Sequence, residues 1–287
     1  MKNEKYYIGK VEKICKISKK TLRYYDKIGV LSPDEVQNDN GYRYYSKDNL
    51  LSIPVIKYYK QSGFKLEEIK NLLYELECND IEENFRDKIE ELEEIERNLN
   101  LKKKSIIDWY SLVKEANMVI ENNLCDVCVK YIEKSDMLFL DQDFNYDYMD
   151  SIINIDFTNY IESIDNAITG PVIIKFPSHE EKINGKCKKM RIIQKGLIKC
   201  ESEKTIEFGG SLVASCYHIG PYDNINCTYK KIKDWIKEHN YEHEDECCER
   251  YVVDYWTSKD NKNFVTEVMI KIKNKCKTKN RKPYTIV

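Results

Sequence analysis

Between residues 80 and 118, Ile81, Phe85, Ile89, Leu92, Leu99, Ile106 and Val113 recur at spacings of three, four and seven. The stretch is otherwise dense in Glu, Lys and Arg. That period is the mark of a long helix with one apolar stripe, about five heptads of it. A helix of this length cannot bury its stripe alone, so it requires a partner. Two intervening core positions are polar, Glu96 and Lys103. They lower stability in such a seam, but they can fix its register or pair across it. The alternative is that the helix packs on the domain that follows it in the same chain. Either way, the helix divides the chain into a segment 1–75 before it and a segment 124–287 after it. Asn117 and Glu121-Asn122-Asn123 read as the linker.

At 287 residues the chain has length for about two domains. The net charge of −2 hides a division. Residues 1–70 hold 15 Lys and Arg against 9 Asp and Glu, or 15 − 9 = +6, so the remainder carries −2 − 6 = −8. A basic first piece on an acidic body points to a polyanion for the first piece only. A solvated basic face would give the same count. Mean hydropathy is −0.65. No run approaches the ~18 apolar residues of a membrane span, and the N-terminus lacks the apolar stretch of a signal peptide. The expectation is a cytoplasmic protein with no membrane partner. The 11 Cys are odd in number and scattered, so small buried hydrophobes are expected rather than a disulfide framework.

In the first segment, Ile8 to Cys15 reads as a short helix with Ile8, Val11 and Ile14 on one face. Ser18 is a good N-cap for a second helix that begins at Lys19 and ends at Gly29. Two short helices joined by about three residues form a helix-turn-helix pattern, whose second helix enters the major groove. Lys19, Lys20, Arg23 and Tyr24 would be its exposed face, types suited to phosphates and base edges. Asn38-Asp39-Asn40-Gly41 is a hairpin turn flanked by Val36 and Tyr42-Arg43-Tyr44-Tyr45, which makes a wing. Ser46 caps a helix over about 47–61 that Gly63 ends, and Pro54 is expected to kink or break it. Leu66 to Leu76 predicts another amphipathic helix. Among Tyr25, Tyr44 and Tyr45, at least one should pack beneath the wing.

Five motifs in order and spacing now carry a resemblance. Tyr7-Ile8-Gly9, Thr21-Leu22-Arg23-Tyr24-Tyr25-Asp26, Gly29-x-Leu31-x-Pro33, Gly41-Tyr42-Arg43-Tyr44-Tyr45 and Gly63-Phe64-x-Leu66-x-Glu68-Ile69 resemble the winged helix-turn-helix of the MerR family over about residues 6–75. The resemblance implies DNA contact by Lys19, Lys20, Thr21, Arg23 and Tyr24 of the second helix, by Tyr42 and Arg43 of the wing, and by Lys60. It also implies a homodimer through an antiparallel pair of the long helices. The dimer would sit on double-stranded promoter DNA whose elements are spaced too far apart for RNA polymerase, and ligand binding would twist that DNA into a usable geometry.

The second segment changes from helical to alternating pattern. Strands are expected at Cys125–Ile132, Pro171–Phe176, Met190–Ile198, Ser211–His218, Arg250–Trp256 and Phe264–Ile272. A helix of uncertain limits lies within 141–165, and an amphipathic helix follows Gly220-Pro221-Tyr222 through Ile225, Tyr229, Ile232, Trp235 and Ile236. The second half reads β-α-β-β and the first half can read the same way. The fold class is therefore α+β: a winged helix-turn-helix, a long coiled-coil dimerisation helix, and a C-terminal α+β domain of two β-α-β-β units. Tyr217-His218-x-Gly220-Pro221-Tyr222, Trp235-Ile236, Glu249-x-Tyr251 and Phe264-x-Thr266-Glu267-Val268 resemble the GyrI-like effector-binding domain attached to MerR-family multidrug sensors. By that resemblance Glu267 is the buried acid that answers a lipophilic cation, with Tyr131, Tyr222, Tyr251, Tyr255 and Phe264 as walls. A carboxylate among apolar residues must find a positive partner, and aromatic faces add cation–π contact. If Arg250 points inward, it would neutralise Glu267 instead.

Other constellations are weaker. Cys125-x-x-Cys128 looks like half a metal site, but residues three apart on a strand face opposite sides. It supports a metal- or thiol-responsive regulator as an alternative. His239-x-x-x-His243-x-x-x-Cys247-Cys248 has helical ligand spacing in a stretch where the helix should already have ended. A GyrI-like hydrolase of small reactive compounds, using Glu267 with Tyr251 or Tyr255, is the enzymatic alternative. No nucleotide loop or Ser/His/Asp signature is visible, so no cofactor and no enzyme are expected.

Overall fold

The computed structural model describes residues 5–74 and 78–274. Two compact units divide at residues 98 and 99, so the first ends partway along the long helix predicted above. None of the described helices is long and apolar enough to cross a membrane.

The first unit is built of β1 (Tyr6–Tyr7), α1 (Ile8–Cys15), α2 (Lys19–Ile28), β2 (Glu35–Val36), β3 (Arg43–Tyr45), α3 (Lys47–Gln61), α4 (Leu66–Tyr74) and the first half of α5 (Cys78–Glu121). Local chemistry sets its boundaries. The Ser18 side chain accepts from the Thr21 N–H at 3.0 Å and starts α2, and Gly29, at φ 72°, ends it. Ser46 and Asn49 form a reciprocal capping box at the head of α3. The three strands pair antiparallel in the order β1-β3-β2, which makes the wing. The core gathers Val11, Leu22, Tyr25, Leu31, Tyr45, Ile53, Ile56 and Ile69, so two of the three wing-associated tyrosines are packing residues.

Three expectations change here. Ile14 is exposed, because α1 is short and only Val11 is buried along it. Pro54 does not break α3, which runs through it. The Leu50 carbonyl, which would have taken the missing N–H, faces the Cys15 thiol at 4.0 Å. Ile81 and Phe85 belong to this unit's own core, where Phe85 packs on Phe64 and Tyr59. Helical period identifies a face but not its neighbour. Further along α5, Ile89, Leu92, Leu99 and Ile106 stay uncovered, the last 68% exposed. Near the end of α5, Leu112, Ala116 and Val119 are buried in the second unit against Val252, Val253 and Val265, while Val113, Met118 and Ile120 are exposed.

The second unit carries β4 (Cys128–Ile132), β5 (Ser135–Asp143), α6 (Tyr148–Ile152), α7 (Ile155–Ser163), β6 (Ile168–Phe176), α8 (His179–Ile183), β7 (Lys189–Gly196), β8 (Thr205–Phe208), β9 (Ser211–Ile219), α9 (Ile225–Glu238), β10 (Tyr241–Val253) and β11 (Val265–Asn274). The sheet order is β4-β9-β11-β10-β6-β7-β5-β8. The two β-α-β-β halves are thus β5-α7-β6-β7 and β9-α9-β10-β11, joined along β10 and β6. Phe157 and Ile161 of α7 and Tyr229, Ile232 and Ile236 of α9 share one core cluster on the same side of the sheet. The strand expected from Cys125 begins only at Cys128, and that expected from Arg250 begins at Tyr241. β5 was not anticipated.

The strand that leads each half pairs with the other half. Cys128–Ile132 lies against Ser215–Ser211, and Ser135–Leu138 lies against Phe208–Thr205, in one unbroken antiparallel register. At the crossing, Gly209 (φ 99°) has the Glu133 carbonyl where a Cβ would sit, 2.2 Å away. Only glycine fits there.

Candidate ligand site and nucleic-acid interface

Strand alternation decides the chemistry of the second unit. On β10, Glu249 and Tyr251 face the helices, while Arg250 faces the opposite side. Glu249 is 0% exposed. Its Oε1 accepts from the Tyr229 hydroxyl at 2.8 Å and meets Lys182 Nζ at 3.0 Å; its Oε2 accepts from the Tyr251 hydroxyl at 2.6 Å. Burial first, then the Glu249 charge, holds the Tyr148 and Tyr251 hydroxyls well above the usual phenol range. They therefore stay protonated. Lys182, 2% exposed, comes from the short α8. Its ammonium lies 4.8 Å from the Phe176 ring centre, 4.9 Å from Tyr148, 5.5 Å from Phe144, 5.6 Å from Tyr229 and 5.7 Å from Tyr146, and 2.5 Å from the Tyr148 hydroxyl. This is an aromatic cage with a carboxylate at its base and a lysine inside it.

Tyr148 is also a wall of the space beyond the cage. It stacks on Tyr222 at 4.5 Å, Tyr222 stacks on Phe264 at 5.4 Å, and Tyr255 meets Phe264 edge-on at 4.8 Å. His218 sets Tyr222 by bonding the Pro221 carbonyl through Nε2 at 2.9 Å and Thr228 through Nδ1 at 3.0 Å. Around these rings lies a cavity of about 450 Å³, whose lining also includes Asp147 and Asp223. Their charges, after burial, push the Tyr255 hydroxyl up.

Of the six residues expected to bind ligand, Tyr222, Tyr255 and Phe264 line this cavity, and Tyr251 sits behind Tyr222 at 5.7 Å. Glu267 and Tyr131 lie apart from it. In β11, Glu267 pairs in register with Arg250 rather than with Glu249, which turns its carboxylate to the other face. There, at 1% exposure, it accepts from Arg250 Nε at 2.8 Å and from Ser215 Oγ at 2.8 Å, and it bonds Lys130. Burial alone would raise its pKa. Arg250, then Lys130, overcomes that and holds it below the ordinary value. Arg250 continues to Glu115 of α5, with Nη1 to Oε2 at 3.2 Å, and the Tyr217 hydroxyl donates to the same Glu115 at 2.7 Å. Glu267 therefore anchors α5 to the sheet. Tyr131, on edge strand β4, is 52% exposed. The two-residue spacing of Glu249-x-Tyr251 was the signal for the cage acid. Lys182 had none, since Ser178-His179-Glu180-Glu181-Lys182 reads as a solvated turn.

In the first unit, Lys19, Lys20, Arg23, Tyr24, Tyr42 and Lys60 are exposed. Thr21 is half-buried, and its hydroxyl pairs with Ser18 at 2.7 Å. Arg43 is held to Asp26 at 2.9 Å, so it ties the wing to α2. Cys125 and Cys128 do not converge: Cys125 Sγ lies near Asn123 Oδ1, and Cys128 Sγ near Ser215. His243 meets His179 at 3.3 Å instead of His239, whose ring stacks on Trp235.

Residues 6–76 match the MerR HTH family regulatory protein model. The mercuric resistance operon regulatory protein of Bacillus cereus is 35% identical over 107 residues, 33% of this chain and 80% of that regulator. The chain belongs to the MerR family. Residues 161–273 of this MerR protein match the GyrI-like small molecule binding domain. The multidrug-efflux transporter 1 regulator of Bacillus subtilis is 38% identical over 111 residues, and the multidrug-efflux transporter 2 regulator is 44% identical over 71. Those matches span 36% and 24% of this chain, and 40% and 26% of the two regulators.

Proposed function

We propose that this MerR-family protein is a cytoplasmic transcriptional regulator. It binds double-stranded promoter DNA as a homodimer and changes the geometry of that DNA, and so its use by RNA polymerase, when a small cationic aromatic molecule binds the second unit. The observation that carries the ligand reading is the buried Glu249 in its aromatic cage, beside a cavity edged by Asp147 and Asp223. A cavity of that size suits a drug-sized ligand. Carboxylates with ring faces suit a weakly hydrated cation. Tyr222, Tyr251, Tyr255 and Phe264 form or support its walls. Glu267 acts through Arg250 on α5, and ligand is bound without turnover. The match to a small molecule binding domain and the two multidrug-efflux transporter regulators named above support a small-molecule effector.

Lys19, Lys20, Arg23, Tyr24, Tyr42 and Lys60 contact DNA, Thr21 sits at the N-terminal turn of the reading helix, and Arg43 fixes the wing. The uncovered stripe on α5 is the dimer seam. Switching requires differential ligand affinity for two settings of the dimer, with sequence-dependent DNA deformation as the readout. Footprinting of the chain's own upstream DNA, with and without tetraphenylphosphonium, tests this. Protection of a roughly palindromic site whose cleavage pattern changes with the cation is expected. Protection indifferent to any cation that binds the protein would refute the switch.

A further inference from the structure

The cage is already filled by the chain itself. We propose that Lys182 is a tethered cation occupying the effector's place, and that an organic cation enters by exchange, expelling the lysine ammonium to water. This rests on the ligand-site reading above and names its gate.

Glu249 and Lys182 are both buried, and they neutralise one another at 3.0 Å. A cation cannot join them without crowding like charges. A neutral molecule cannot replace the ammonium without leaving Glu249 unpaired in a dry site. Only a cation can take the place and keep the balance. The two hydroxyls that donate to Glu249, from Tyr229 and Tyr251, do not depend on Lys182 and remain for the newcomer. The exchange also selects among cations. The expelled group is a compact, strongly hydrated ammonium that regains its water outside. The entrant should therefore be one that loses little on drying, such as a quaternary or delocalised aromatic cation rather than a primary amine of equal size.

Lys182 is suited to leave. It sits on a five-residue helix in the connection between β6 and β7. That helix is held by Glu180 to Lys233 at 3.1 Å, by the Tyr146 hydroxyl donating to the Glu181 and Lys182 carbonyls at 3.4 Å each, by His179 to His243 at 3.3 Å, and by Asn226 donating to the Ile183 carbonyl at 3.3 Å. The first and last of these contacts are at the surface. Tyr148 touches both the ammonium and the open cavity's Tyr222, so a molecule in the cavity has one ring between it and the lysine.

Calorimetric titration of the full chain with tetraphenylphosphonium and with uncharged triphenylphosphine oxide tests the exchange. Lys182→Met should tighten the cation about tenfold or more and leave the neutral compound nearly unchanged, and Lys182→Met with Glu249→Gln should abolish the gain. The wild-type chain supplies a second reading. Reductive methylation followed by peptide mass analysis should find Lys182 unreactive alone and reactive at saturating cation. Cation affinity that is unchanged or weaker in Lys182→Met overturns the exchange and leaves the cavity assignment standing. So does a Lys182 equally unreactive with cation bound. A cation that binds none of these proteins overturns both.

Discussion

Arg250 bridges a buried acid and a helix, and its removal has a calculable cost. Arg250→Met keeps much of the side-chain volume and deletes the charge. Glu267 at 1% exposure then loses one of its two cations, while Lys130 remains on Oε1. Breaking a buried pair costs about 3–5 kcal/mol; with Lys130 retained, the low end of about 3 kcal/mol applies. Glu115 is partly solvated and adds little. Trp109, Trp235 and Trp256 are the chain's three tryptophans, and all lie in the second unit. Urea unfolding followed by tryptophan emission therefore reports that unit. With a slope of about 2 kcal/mol per molar, the midpoint should fall by about 1.5 M. Arg250→Met with Glu267→Gln should recover most of the loss, since no buried charge is then left half-paired. A midpoint drop below about 0.5 M, or a double variant as weak as the single, would refute the view of this cluster as a desolvated anchor.

Asp254 gives a pH signature of opposite sense to a paired carboxylate. Burial raises it from 3.8 to about 6, against the opposing Trp256 N–H. Its contribution is full below pH 3.8 and lost as pH rises through about 6, so Asp254→Asn should gain up to ~3 kcal/mol at pH 7.5 and nothing at pH 3.5. Equal gains at both would point to packing instead. Gly209→Ala should destabilise the second unit by at least ~2–3 kcal/mol, through left-handed strain and the Glu133 carbonyl. Gly210→Ala, which meets only the flexible Lys134 side chain, should cost less; the reverse order in thermal melts would contradict the crossing. Arg23→Ala should lose about 1–3 kcal/mol at the operator in binding assays, and less on random DNA. Equal loss on both would make it a phosphate contact.

The first unit was legible because its signals are local. Ser18, Gly29, Ser46 and the Asn40-Gly41 turn act within a few residues of themselves, and tertiary packing agreed with each. That at least one of Tyr25, Tyr44 and Tyr45 packs as core was legible, but which of them do so, Tyr25 and Tyr45, took the assembled unit to show. The ligand site was harder, since it depends on which strands are neighbours. Glu249 and Glu267 are both acids in apolar strands. Their opposite faces follow from pairing Arg250 with Glu267 across β10 and β11, a fact of register that no single strand contains. Helix α8 was hidden because Lys182 lies among Glu and Lys residues that resemble a solvated turn, and burial there comes from rings contributed by Phe144, Tyr146 and Tyr148. β5 was hidden by Asp136, Asp141 and Asp143, which mask the buried Met137 and Leu138. The α5 stripe was visible as a stripe, but its first residues, Ile81 and Phe85, are claimed by the first unit's own core, while Val113 at its other end stays exposed.

The shared ladder between the two halves of the second unit makes them a single piece of masonry. β4 belongs in sequence to the first half and lies on the second; β8 does the reverse. Neither half can complete its sheet without the other, so a cut between β7 and β8 should leave two fragments that gain structure only when mixed. A chain of half this length could reach the same arrangement by lending its leading strand to an identical copy. The present domain reads as such a pair of molecules written on one chain.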